Sequence, residues 1–355
     1  MARIDAFFKV MVDNGSSDLF MCTGSPPMLK ISGEIQAIKF GELTHEQNKA
    51  FLYEIMTDYH RKIFEEHNDV DFAYENDYAR YRANVFMQRK GIAGIFRQIP
   101  SKILTAKQLG LPPAVLKFGD FKKGLCLVTG ATGSGKSTTL AALIDYINEN
   151  YKYHILTLED PIEFVHPNKQ SLVNQREIHR HTHSFSTALR AALREAPDVI
   201  LVGEMRDLET IEKAVEAAET GHLVFGTLHT NSAAKTVDRI INVFPADRQE
   251  QIRQMLAEAL IGVVAQNLLK KTGGGRCAAL EILIRTPALG NLIRENKTFQ
   301  IPSLMQTNKQ MGMQTMDQSL LELVQQNKVT LEEARRYAID RKSFDAKAQE
   351  MAKFK

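Results

Sequence analysis

Along the chain the spacing of apolar residues changes character once. Up to about residue 97, helix-period pieces alternate with period-two pieces. "THEQNKAFLYEIMTDYHRKIFEEH" repeats its apolar positions three and four apart behind Thr44 as N-cap, whereas "DFAYE" and "YARYRANVFMQ" alternate as half-buried strands do. With the turn-rich "TGSPP" between such pieces, the pattern predicts an α+β module over residues 1–97. "QIPSKILTAKQLGLPPAVLKF" then gathers Pro100, Gly110, Pro112 and Pro113, so residues 98–113 are expected to connect two domains.

Residues 114–355 keep a different rhythm. Apolar runs "GLCLVTG", "HILTLED", "DVILVGE" and "HLVFGTLHT" alternate with helical patterns from Ser137, near 184–195 and over 208–220. That alternation predicts βα units and a mostly parallel sheet covered on both faces, an α/β fold class. "FPADRQEQIRQMLAEALIGVVAQNLLKKTGGG" reads as one long amphipathic helix ended by glycines. After one more strand-like run, "CAALEILI", the rest is expected to be helical, and "TLEE" puts Thr330 and Glu333 at capping-box spacing.

Composition narrows the picture without naming a partner. The 355 residues suffice for about two domains, and 44% apolar residues for real cores. Lys plus Arg is 45 against 42 Asp plus Glu, a formal charge of +3. No basic stripe with interleaved aromatics accompanies it, so nucleic acid is not an expected partner. Cys22, Cys126 and Cys277 form no C-x-x-C pair, which argues against a disulfide framework or zinc knuckle and fits a reducing compartment. No uncharged apolar run approaches the roughly 18 residues of a membrane span, and Lys9 and Asp13 interrupt "MARIDAFFKVMVDNG". A soluble, unprocessed protein is expected.

The chemistry begins at "GATGSGKST", where Gly130, Ala131, Thr132, Gly133, Ser134, Gly135, Lys136, Ser137 and Thr138 satisfy G-x-x-x-x-G-K-[ST] between a strand-like run and a helix. Glycines let backbone N–H groups close around phosphate oxygens; Lys136 supplies a cation for the β and γ phosphates, and Ser137 a hydroxyl for Mg²⁺. ATP and Mg²⁺ are the expected ligands. "TLEDPIEF" delivers Glu159 and Asp160 at a strand end, and Pro161 turns the chain so that Glu163 faces the γ-phosphate and polarises water. Glu204 emerges from "DVILVGE" as a residue of the magnesium shell or its waters, with Glu159 as a further candidate there; for Glu159 and Asp160 a capping or ion-pair role is equally open.

Histidines and arginines complete the candidates. His229 ends a buried run, where it can report the γ-phosphate or bond a catalytic carboxylate; His222, at the start of the run, is balanced between that and a structural role. His179, His181 and His183 alternate like metal ligands, but no carboxylate or cysteine completes a set, and a solvated connection is expected. Arg80 and Arg82 share one face of a strand-like run and could act as fingers on a transferring phosphate, while Arg97 is placed to anchor the linker.

These segments together resemble the type IV pilus retraction ATPases, the PilT-like branch of the secretion ATPases. "SDLFMCTGSPPMLKISGEI" resembles the opening segment, "HILTLEDPIEFVHP" the aspartate box, "DVILVGEMRDLETI" the atypical Walker B with Glu for the usual Asp, and "ETGHLVFGTLHTNSAAKTVDRIINVFP" the histidine box. The resemblance implies a PAS-like N-terminal domain, a RecA-like P-loop ATPase domain with C-terminal helices, and a cytoplasmic homohexamer at the inner membrane. It implies a membrane platform protein as partner, pilin as indirect cargo, and twitching motility driven by pilus retraction. It also implies that Glu163 is the catalytic carboxylate, Glu204 the Walker B residue, His229 a contact on the γ-phosphate side, and Arg80 and Arg82 the arginines that reach the nucleotide. Phe20 stands where the family often has His. Residues Ala288 to Glu295 read "ALGNLIRE" where the retraction branch carries A-I-R-N-L-I-R-E, so only the second half of that motif matches. The short N-terminal region and lack of zinc-binding cysteines separate the chain from pilus-assembly and type II secretion motors. A nucleotide-binding accessory ring with low turnover and the motor of a related pilus-assembly or type II secretion machine are the rival readings.

Overall fold

The computed structural model describes residues 2–31, 33–99 and 102–353. Two compact units emerge: Met1–Lys102 with Pro161–Val165, and Ile103–Asp160 with His166–Lys355.

The first unit contains α1 (Asp5–Asp13), β1 (Asp18–Cys22), β2 (Met28–Ile31), β3 (Glu34–Ala37), α2 (His45–Ile55), α3 (Asp58–His67), β4 (Asp69–Glu75), β5 (Arg80–Gln88) and β6 (Gly91–Ile99). Among the described residues its strands form an antiparallel sheet in the order β3-β2-β1-β6-β5-β4. Alternation along β5 buries Tyr81, Ala83 and Val85 and leaves Arg80 and Arg82 on the opposite face. Phe8 of α1 stacks on Tyr81 with ring centroids 4.1 Å apart and meets Phe96 edge-on at 5.0 Å. The helical stretch behind Thr44 is two helices, because Met56 turns extended and Thr57 opens a second capping box with His60, as Thr44 does with Gln47.

The expected connection at 98–113 is largely structured. Its first residues complete β6, Pro100 and Ser101 lie outside the described residues, and α4 (Ala106–Leu109) and the start of α5 (Pro113–Leu116) follow. Thr105 caps α4, Gly110 closes it at φ +67°, and Ala106 and Leu111 are buried in the second unit's core. Gly110, Pro112 and Pro113 punctuate short packed turns here.

The second unit continues with β7 (Gly124–Thr129), α6 (Lys136–Asn150), β8 (His154–Glu159), β9 (Leu172–Glu177), α7 (Phe185–Ala192), β10 (Val199–Val202), α8 (Leu208–Thr220) and β11 (Leu223–Leu228). Then come α9 (Ala233–Asn242), α10 (Gln249–Ala259), β12 (Leu260–Lys270) and β13 (Arg276–Ile284). Five helices follow: α11 (Pro287–Arg294), α12 (Ile301–Thr307), α13 (Met316–Gln325), α14 (Leu331–Tyr337) and α15 (Arg341–Lys353). Among the described residues the sheet order is β13-β12-β7-β11-β10-β8-β9, parallel except for β13. Both faces are covered: Leu125 and Leu127 of β7 join one apolar cluster, Cys126 and Val128 the other.

Three sequence expectations change. The long helix over "FPADRQEQIRQMLAEALIGVVAQNLLKKTGGG" stops at Ala259, and the chain continues as β12, buried beside β7. A continuous apolar run does not reveal its own period; the β-branched Ile261, Val263 and Val264 suit the strand, and a Cβ on Gly262 would strike the Phe118 ring. The connection before α7 contains β9, whose half-exposed pattern carries little apolar signal. At "TLEE", Thr330 accepts from Glu333 N–H, but the Glu333 carboxylate accepts from Lys270 N–H at 3.0 Å, tying α14 to β12 instead of closing a capping box.

His166 supplies a pH-dependent contribution to stability. Its backbone N–H donates to Gln175 Oε1 at 2.8 Å, while its buried Nδ1 has no partner among the described residues. Burial pushes the imidazole down from 6.5 to about 4, with Asp145 opposing and Lys169 adding to the fall. The unfolded chain therefore takes up a proton below its ordinary value that the folded chain refuses until about pH 4. Stability attributable to this residue falls with acidification across that window, by about 1.4 kcal/mol per pH unit. His166→Leu is expected to flatten the fall in urea midpoint between pH 6.5 and 4 relative to wild type. Parallel pH profiles of the two proteins would contradict this.

Candidate active site

The loop between β7 and α6 is set by three glycines in the left-handed region, Gly130 at φ +146°, Gly133 at +78° and Gly135 at +90°. Gly130 has no room for a side chain, since a Cβ would lie 2.4 Å from the Gln266 carbonyl oxygen and 2.5 Å from Ser134 Oγ. The Cβ direction of Gly133 meets open space. Lys136 Nζ donates to the carbonyls of Gly130 and Ala131 at 2.9 and 3.1 Å, lying back over the loop. The bond from Thr139 N–H to the Gly135 carbonyl, 3.0 Å, belongs to the start of α6, so the N–H groups of Ser137 and Thr138 precede the helical ladder. First-turn donors, the positive helix end, a lysine and open space at Gly133 fit a chain of phosphates.

The loop also has a support that the sequence did not reveal. Gln266 of β12 is buried; its Nε2 donates to the Ser134 carbonyl and its Oε1 accepts from Thr139 Oγ1, each at 2.7 Å. One amide thus ties the loop to the first turn of α6. A single helix over 244–275, as the sequence predicts, hides it, because only a strand in register with β7, Ala265 opposite Thr129, brings Gln266 alongside Gly130.

At the same carboxyl edge, β10 and β11 bring two of the candidate residues together. Glu204 follows β10, His229 follows β11, and His229 Nε2 lies 2.9 Å from Glu204 Oε1. Arg206 grips the same carboxylate at both oxygens, Nε to Oε1 at 2.6 Å and Nη2 to Oε2 at 2.7 Å. Partial burial works against the charge on Glu204, but Arg206 and then His229 outweigh it and hold the carboxyl below its usual range. Glu204 in turn raises the Arg206 guanidinium, with Asp160 adding to the effect. The carboxylates at these strand ends therefore face a cation of the chain itself, and its signal was in plain view two residues past Glu204.

Other candidates are held structurally. Glu159 Oε1 accepts from Thr157 Oγ1 at 2.6 Å and Gln175 Nε2 at 3.2 Å, bracing β8 against β9. His222 sits at the opposite end of β11, about 20 Å from the loop edge by strand rise, with Nδ1 3.1 Å from the Ala217 carbonyl. His181 Nδ1 accepts from Glu177 N–H at 2.9 Å and His179 sits in a turn at φ +66°. In the first unit, Arg80 pairs with Glu75 at 3.0 Å and donates from Nε to the Ile162 carbonyl at 3.2 Å, so the segment carrying Glu163 packs with β5. Exposed Arg82 lies 3.8 Å from Asp71, and Arg97 pairs with Asp18 at 2.8 Å within the sheet.

This arrangement has close counterparts. The Type II/IV secretion system protein family matches residues 112–274. The type IV pilus retraction ATPase PilT of Pseudomonas aeruginosa is 55% identical over 91% of this chain and 94% of its own. A twitching motility protein of Neisseria gonorrhoeae is 54% identical over 93% of this chain and 88% of its own. A crystal structure of the pilus retraction motor PilT with bound ADP superposes with a TM-score of 0.90 at 50% identity, covering 97% of this chain and 98% of that one. The chain belongs to the type II/IV secretion ATPases, in their branch of PilT-like pilus retraction ATPases.

Proposed function

We propose that this chain is the ATP-hydrolysing motor that withdraws type IV pili. The observation that carries the reading is the likeness to an ADP-bound retraction motor over nearly the whole of both chains, 97% and 98%. The phosphate loop from Gly130 to Thr138 binds ATP, with Lys136 on the β and γ phosphates. Ser137 and, through water, Glu204 are the residues that would hold Mg²⁺, their oxygens suiting a hard cation. When bound, the ion neutralises charge that develops on the γ-phosphate. Glu163 takes the proton of the attacking water, and His229, joined to Glu204, registers the γ-phosphate. Arg80 and Arg82 serve the nucleotide of a neighbouring subunit in a homohexamer, which grips a platform protein at the cytoplasmic face of the inner membrane and moves pilin through it.

The test is genetic. The gene is deleted in its source organism and restored as wild type or Glu163→Gln, and surface pili and twitching movement are counted. Abundant, immobile pili in both the deletion and Glu163→Gln strains are the expected result. Bald cells would make this an assembly motor, and normal movement in the deletion strain would favour the accessory ring.

A further inference from the structure

Glu281 stands out among buried groups to which the proposed chemistry gives no part. It lies on β13, 3% exposed, and each of its carboxylate oxygens accepts a backbone N–H: Oε1 from Ala233 at 2.7 Å, Oε2 from Met316 at 3.1 Å. Ala233 opens α9 and Met316 opens α13, so one carboxylate sits at two helix N-termini. Burial raises its carboxyl above the usual range; the N–H groups of Ala233 and Met316 oppose the rise and Asp317 adds to it. Acceptance at both oxygens is the pattern of the ionised form.

What lies behind each N–H gives the arrangement a function. Upstream of Ala233 is the loop 229–232, which begins with His229 on Glu204 and is stitched by Thr236 Oγ1 to the Ser232 carbonyl and Thr230 Oγ1, both at 2.7 Å. On the other side, α13 is fastened to β13 around Glu281: Leu280 N–H donates to Ser319 Oγ at 3.0 Å, Gln314 Nε2 to the Leu280 carbonyl at 2.7 Å, and Ile282 and Gln314 exchange backbone bonds. Across the sheet, Glu281 pairs with Ala265, which pairs with Thr129, the last residue before the phosphate loop. A buried charge is a costly device for packing alone, and truncating such a group leaves its donors unpaired.

We infer that Glu281 is a positioning residue that locks the histidine loop to helix α13, so that the setting of His229 against Glu204 depends on where α13 sits. This rests on the proposed role of His229 in ATP turnover, and the experiment separates the two. In full-length protein, Glu281→Gln keeps the shape but presents an N–H₂ to one donor. Hydrogen–deuterium exchange is then expected to quicken on the order of tenfold in 229–236 and in 314–320 together, with α6 unchanged. ATP turnover should fall by a similar factor while the ATP-analogue Kd stays within about threefold, because Gln266 still holds the phosphate loop. Glu281→Asp, which keeps the charge, should restore turnover most of the way. Faster exchange in only one segment, a uniform rise across the chain, or loss of affinity alongside turnover would overturn the inference. If Glu281→Gln does not fold, Glu281→Asp decides by the same paired loosening, smaller in size. Wild-type protein without ATP turnover would sink the proposed function and leave the exchange result to judge the lock.

Discussion

Glu163→Gln is expected to lower ATP turnover by about 10³-fold while nucleotide affinity stays within about threefold of wild type. The size is that of a positioned general base: Gln keeps the shape and a hydrogen-bonding oxygen but does not accept the proton of the attacking water. The substitution should not disturb the fold, because among the described residues the half-buried Glu163 side chain makes no hydrogen bond or ion pair within the chain. Its segment is instead held by buried Ile162 and Phe164 and by the Ile162 carbonyl on Arg80. Single-turnover kinetics with a fluorescent ATP analogue measures both quantities. Equal losses in affinity and turnover would assign Glu163 to binding, and unchanged turnover would move the base elsewhere.

Gln266→Leu is expected to weaken nucleotide binding by about 10- to 100-fold and to destabilise the second unit by about 3 kcal/mol, a fall of roughly 10 °C in Tm. Leu fills the volume but leaves the Ser134 carbonyl without its donor and Thr139 Oγ1 without its acceptor, in a place where the amide is buried. Each such loss costs about 1–3 kcal/mol, and the released loop must be reordered each time nucleotide binds. Calorimetry and nucleotide titration read the two effects separately. A fall in Tm with unchanged affinity would mean that the loop keeps its shape without the amide. Gln266→Glu, which keeps the acceptor for Thr139 but sets a buried carboxylate oxygen against the Ser134 carbonyl, should be at least as damaging as Leu.

What could be read from the sequence follows the distance over which each feature is built. The phosphate loop is local, its nine residues standing between one strand and one helix, so its pattern is legible without any long-range contact. Strand-end carboxylates and His229 were legible because buried apolar runs announce their own ends. Gln266 was not: its partners lie 132 and 127 residues away, and the run around it has no period that distinguishes strand from helix. Glu281, bonded to backbone 48 and 35 residues off, looks in sequence like any acidic residue in a strand. Arg206 was close enough to notice, yet a carboxylate at a strand end suggested a metal before it suggested a neighbouring guanidinium.

The membership of Pro161–Val165 in the first unit bears on how this protein can be cut and recombined. The chain passes between the units three times, after Lys102, after Asp160 and after Val165. A fragment starting at Ile103 would carry Glu163 without the β-sheet on which its segment packs, and a chimera joined only near residue 102 would pair that segment with a foreign surface. Exchange of the amino-terminal unit between relatives therefore requires a second, five-residue graft in the middle of the ATPase segment.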